Sequence, residues 1–178
     1  MTEPSSAGGN LPERIERHRQ MAEAGIREHQ ALSEANVAGH KPVIARASTS
    51  GVPATYFTPQ GGEQQRPEGI SWGGSEKTLK ELQIFWKRIP DFRIEARIYP
   101  SETGWAQVLH WIGTGDDGSD WDVQEIDVFT TDEAFNVTRM EIYSDLQQWK
   151  DLLDYLGVGQ MTGPAYYELI QSQPGSGD

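Results

Sequence analysis

The sequence predicts an α+β fold: a curved antiparallel sheet wrapped around a long N-terminal helix, forming a cone with one enclosed pocket. Three observations predict it. One long helical segment comes first, over about residues 12–36. Four strand patterns then follow one another between residues 92 and 143 with no helix among them. The remaining helices are short and lie outside that run, so the order lacks the strand–helix alternation of a parallel sheet. The 178 residues fit one domain. Residues 1–10 are small, polar and Gly/Pro-containing, and 159–178 end similarly. The expected division is therefore an N-terminal tail over 1–10, a domain over 11–158, and a partly disordered extension over 159–178.

Each element has its own signals. Pro12 suits a first helical turn and Glu13 complements a helix N-terminus. Ile15, Met21, Ala22, Ile26, Ala31 and Leu32 form an imperfect apolar stripe, and Gly39 ends it. A short helix is expected over 42–47, then a strand over 52–57, then a Gly-rich loop over 60–74. Ser75 reads as a helix cap, and Leu79, Leu82, Phe85 and Trp86 recur at helical spacing. Phe92, Ile94, Ala96 and Ile98 alternate with Arg93, Glu95, Arg97 and Tyr99, the pattern of a half-buried strand. Strands are expected over 105–112, 121–130 and 137–143. The last helix covers about 146–156, with Gly157 as its stop.

Composition narrows the function. Lys+Arg 15 against Asp+Glu 27 give a formal charge of −12. Such a chain lacks the cations that nucleic acid and anionic membrane surfaces demand, so neither is an expected partner. There is no Cys, which excludes disulfides, a thiol nucleophile and Cys-ligated metal. No signal-peptide pattern or run of ~18–20 apolar residues is visible, and a cytoplasmic setting is expected. No nucleophile elbow and no dinucleotide or P-loop motif is complete; the Gly73-Gly74 pair lacks the Lys-Ser/Thr of a P-loop.

Two stretches carry a family likeness. "GGSEKTLKELQIFWKRIPDFRIE" and "VQEIDVFTTDEAFNVTRMEIY" resemble the NTF2-like superfamily and, within it, the SnoaL-like group. The resemblance spans roughly residues 12–158. It implies a cone-shaped barrel with a largely apolar pocket, a homodimer, and no metal or organic cofactor. The superfamily includes isomerases, polyketide cyclases, lyases, epoxide hydrolases and non-enzymatic binding modules. Ala54 to Pro59 resembles the strand that carries the catalytic base of ketosteroid isomerase, but Thr58 stands at the base position. The isomerase's Tyr donor has Leu32 as its nearest counterpart, so steroid isomerisation by the same residues is not expected. Asp127, within Ile126-Asp127-Val128, matches the isomerase's oxyanion-stabilising acid.

The candidate chemistry centres on that Asp. An Asp flanked by apolar residues on a central strand is either paired or raised in pKa. Glu125 stands two residues before it, on the same strand face by period two. His110, between Leu109 and Trp111, is the expected general base, since imidazole titrates near neutrality. Tyr56 is the expected second donor. Substrate-lining positions are Glu125, His29, Phe57, Trp86, Trp111, Met140, Ile142 and Ser144, the last three from the isomerase hairpin. His29 also has a surface reading. His18, His29 and His40 lack metal-ligand spacing. The reading that results is a cofactor-independent acid–base enzyme, a lyase or an isomerase/cyclase, acting on a hydrophobic, aromatic or polyketide-like molecule. The alternative is a non-catalytic small-molecule-binding or assembly module. Separation of His110 from every pocket carboxylate would favour that alternative. An Asp127–Arg139–Asp145 set for epoxide hydrolysis is disfavoured, because alternation turns Arg139 away.

Overall fold

The sequence's apolar periodicities become four helices and one six-stranded sheet in the computed structural model, which describes residues 10–42, 54–57, 63–65, 75–161 and 163–175. Helix α1 spans Leu11–Val37, and its buried face is His18, Ala22, Ile26, Leu32 and Ser33. Gly39, at φ 70°, takes the left-handed turn that ends it. Helix α2 spans Ser75–Trp86 and buries Leu79, Leu82, Phe85 and Trp86. Strands β3 (Arg93–Pro100), β4 (Gly104–Thr114), β5 (Asp120–Thr131) and β6 (Val137–Ser144) form the expected antiparallel meander. Helix α3 spans Leu146–Tyr155; the Asp145 carboxylate caps it by accepting from the amides of Gln147 and Gln148.

Three features depart from the sequence reading. Strand β1 (Ala54–Phe57) runs parallel to β6, so the sheet is not wholly antiparallel. A three-residue strand, β2 (Glu63–Gln65), lies within the stretch expected to be loop and pairs with β1. Helix α4 (Gly163–Gln171) forms in the C-terminal extension and buries Ile170 against Ile84 and Val158. The sheet order is β2-β1-β6-β5-β4-β3. The short helix expected over 42–47 falls almost wholly outside the described residues, as do the N-terminal tail and Ser71 to Gly74.

The pleat divides the sheet into two faces. Ile94, Leu109, Trp105, Gln107, Val123, Asp127 and Ile142 are buried on the face toward α1, α2 and α3. Arg97, His110, Asp122, Ile126, Arg139 and Tyr143 alternate onto the other. The main core lies between α2, α3 and the inner face, where Phe85 stacks on Phe92 at 4.6 Å. Burying each such side chain contributes roughly 2 kcal/mol. Trp86 belongs to this core. Its indole nitrogen donates to the Phe92 carbonyl at 3.0 Å, tying the end of α2 to the entry of β3. It is thus a packing residue, which corrects its expected place on the substrate wall. Among the described residues, no helix is long and apolar enough to cross a membrane.

Candidate functional site

Strand β5 runs between β4 and β6, and that position builds the site. Cross-strand register places Asp127 between Gln107 and Ile142, and Glu125 between Leu109 and Ser144. Glu125 and Asp127 therefore share the inner face, as period two requires. The Gln107 amide donates to Asp127 Oδ2 at 2.9 Å. Burial raises the Glu125 carboxyl well above the usual range, and the neighbouring Asp127 charge adds to the rise. Burial also pushes Asp127 up to about 6, against hydrogen bonds from Gln107 and Glu125 that favour its charged form. Two carboxyls this close and this poorly solvated titrate as a pair, which retains a proton where free carboxyls are bare.

Aromatic rings surround the pair. Trp111, on the same face of β4, stacks on Phe92 at 5.7 Å and meets Trp149 of α3 edge-on at 6.2 Å. Its indole N–H lies near enough to Glu125 to favour the charged carboxylate, without a hydrogen bond of ordinary geometry. The His29 ring from α1 sits 6.0 Å from Trp111, and its Nδ1 is buried and partnerless. Burial lowers the His29 pKa to about 4, so the ring is neutral at neutral pH. Trp149 Nε1 is likewise buried without an acceptor. Native interiors rarely leave such groups unpaired, which singles out this part of the inner face as the candidate site.

Other expected site residues fall elsewhere. His110 is the principal correction. It stands one residue out of phase with Leu109 and Trp111, so the pleat turns it to the outer face. There its Nδ1 meets Asp122 Oδ1 at 2.9 Å, with the side chains 40% and 53% exposed. It cannot be a base for Asp127's face of the sheet. His29, expected to line the substrate site, lies in the interior beside Trp111, so its surface reading falls away. His18 is fully buried, donating from Nδ1 to the Ser101 carbonyl at 2.8 Å while Nε2 meets Thr131 Oγ1 at 2.7 Å. Met140, Ile142 and Ser144 do stand on the inner face of β6, with Ile142 opposite Asp127. Tyr56 pairs through its backbone with Ile142, and Phe57 with Tyr143; their side chains lie outside the described residues. Arg139 faces outward to Glu141, and Asp145 is spent on capping α3, so the epoxide-hydrolase set is not assembled. Among the described residues, no three His, Asp or Glu side chains converge on a metal position.

Two site residues were not anticipated. Gln107 is a lone amide in an otherwise apolar alternation of Trp105, Leu109 and Trp111, and that contrast was its available signal. Trp149 packs as a helix residue should, and nothing in its spacing announces an orphaned N–H.

Fold and site together define an α+β protein with a buried, proton-retaining carboxyl pair on the inner face of its sheet. No family model matches the chain, and no curated protein matches it significantly. Two solved structures are similar in chain path. One is a phenazine biosynthesis-related protein (phzb2) from Pseudomonas aeruginosa, with a TM-score of 0.44 and 12% identity over 80% of this chain and 90% of that one. The other is a conserved bacterial protein with a cystatin-like fold from Silicibacter pomeroyi DSS-3. Its TM-score is 0.39, with 15% identity over 84% of this chain and 96% of that one. Neither likeness assigns a role to any residue here.

Proposed function

We propose that this protein is an acid–base enzyme of the NTF2-like, SnoaL-like type, a lyase or an isomerase/cyclase, which moves a proton on a hydrophobic small molecule without a cofactor. One observation carries the reading: Glu125 and Asp127 lie side by side on the buried face of β5, hydrogen-bonded to each other, and burial raises both carboxyls. The ionised carboxyl takes a proton from an activated C–H. The C–H electron pair moves into the adjacent carbonyl as an enolate, and the still-protonated carboxyl donates a hydrogen bond to that oxygen. Return of the proton to another carbon completes an isomerisation; expulsion of a leaving group completes an elimination. Neutral His29 is available as a second hydrogen-bonding group on the same face. A homodimer is proposed with this reading, through the outer sheet face where Tyr99 and Ile126 are 54% and 42% exposed; sedimentation of the wild type against Ile126→Arg tests it.

The test is exchange of solvent deuterium into the acidic C–H of a panel of indanones and tetralones, followed by NMR. The wild type is expected to catalyse exchange, with Glu125→Gln and Asp127→Asn each slower by about 100-fold or more. Exchange that survives both substitutions refutes the assignment. The second reading, a non-catalytic binding module, draws on the placement of His110 beyond reach of the inner carboxyls. Tight ligand binding with no exchange by the wild type would establish it.

A further inference from the structure

Helix α4 is tied along α2 by more than its apolar residues. Ile170 seats on Ile84. Lys80 Nζ donates to the Gln171 carbonyl at 3.3 Å, Gln83 Nε2 to the Pro174 carbonyl at 3.3 Å, and Lys87 Nζ to Gln173 Oε1 at 2.8 Å. A fourth tie has a carboxylate as its acceptor. Tyr166 Oη donates to Glu81 Oε1 at 3.1 Å, with both side chains half-buried. A carboxylate only accepts, so the phenol O–H is the donor and sets the carboxylate's orientation.

Helical spacing puts Glu81 on the seam between α4 and the carboxyl pair. Ile84, three residues on, packs against α4. Phe85, four residues on, meets Trp149 edge-on at 6.4 Å, within the core that Trp111 packs against. The Glu81 charge reaches Glu125 and adds to the rise of that carboxyl, whereas Asp127 answers to burial, Gln107 and Glu125. The other groups that meet Glu125 bring no cation to cancel Glu81. Asp127 beside it repels a second charge, and the Trp111 indole favours the charged form. Strands β4 and β6 place Leu109 and Ser144 opposite it, and α1 brings the neutral His29. Among the described strand residues, the inner-face positions of β3 to β6 carry no Lys or Arg.

We propose that Tyr166 and Glu81 are positioning residues for the carboxyl pair: Tyr166, carried by α4, holds the Glu81 carboxylate where its charge keeps the pair's proton on Glu125 and leaves Asp127 as the base. The assignment rests on the acid–base reading of the pair for its catalytic meaning. It makes the C-terminal helix a working part of the site.

Side-chain carboxyl NMR titration of the full chain tests it. Glu81→Gln keeps an acceptor for Tyr166 and removes the charge. It is expected to bring the Glu125 midpoint down by about half a pH unit or more, and the alkaline limb of the deuterium-exchange profile down with it. Tyr166→Phe removes only the hydroxyl and is expected to move both in the same direction. Gln83→Met is the structural control: it cuts one tie between α2 and α4 with no change in charge, and is expected to leave both in place. A Glu125 midpoint that stays put or rises in folded Glu81→Gln overturns the inference. So does a Tyr166→Phe midpoint equal to the wild type's, or a fall in Gln83→Met as large as in Tyr166→Phe. Midpoints that fall in both Glu81→Gln and Tyr166→Phe, in a protein without deuterium exchange, would uphold the placement of the proton while the acid–base reading fell. Exchange by the wild type with unmoved midpoints in the variants would do the reverse.

Discussion

On the inner face of β5, Glu125 and Asp127 are held away from water, share a proton, and have a neutral His29 nearby. On the outer face of the same sheet, Asp122 pairs with His110 and Glu141 with Arg139, all reached by solvent. The residue types are the same: carboxylates and an imidazole. The difference is that the outer acids have cationic or imidazole partners and water, whereas the inner ones have an amide, indole rings and each other. Raised carboxyl pKa values and a depressed histidine follow on the inner side. Chemistry at neutral pH needs groups that hold protons against the solvent's preference, and the inner face has them.

The largest expected break between the faces is in activity. Glu125→Gln or Asp127→Asn is expected to lower deuterium exchange by about 100-fold or more, whereas Asp122→Asn changes it less than about twofold. The two histidines give the next contrast: His29→Phe is expected to cost about tenfold in exchange, as the loss of one hydrogen-bonding group in the site, and His110→Phe nothing measurable.

Stability should respond to pH with opposite signs at the two kinds of inner group. Asp127 has a folded pKa of about 6 against an ordinary 3.8, so its folded form binds the proton more tightly. Its stabilising contribution is complete below the ordinary value and is lost as pH rises through about 6. Glu125 acts in the same direction. His29, lowered from 6.5 to about 4, contributes fully above 6.5 and loses that contribution as pH falls through about 4. Denaturant unfolding is therefore expected to show Asp127→Asn gaining on the wild type between about pH 4 and 6, by about 3 kcal/mol at most. The smallest effect belongs outside: His110→Ala or Asp122→Ala should shift unfolding by no more than about 0.5–1 kcal/mol.

The fold was legible where periodicity was strong. Helix α1 and strands β3 to β6 lie within one or two residues of their expected spans, because their apolar spacing is set by the face each buries. Strand β2 was not legible: three polar residues carry no alternation, and only pairing with β1 makes them a strand. Helix α4 was hidden by its few apolar residues, Tyr166, Leu169 and Ile170, which gain meaning only against Ile84 and Val158. Within the site, Glu125 and Asp127 followed from period two. His110 did not, because both faces of β4 are apolar: Ala106, Val108 and Ile112 alternate opposite Trp105, Leu109 and Trp111. With no polar face to anchor the phase, the strand alone cannot say which side is inside. His29 was readable in principle, standing three residues from both Ile26 and Leu32 on the buried stripe of α1.

The most direct measurement is a side-chain carboxyl NMR titration of the free protein, with Glu125→Gln and Asp127→Asn used to assign the two resonances. The account predicts that the pair releases its protons in two linked steps, the first no lower than about pH 6 and the second higher. It also predicts that Asp127→Asn brings the Glu125 midpoint down, since the Asp127 charge adds to its rise. Two independent midpoints near those of free Asp and Glu would contradict it, and with it the claim that the inner face holds a proton for catalysis.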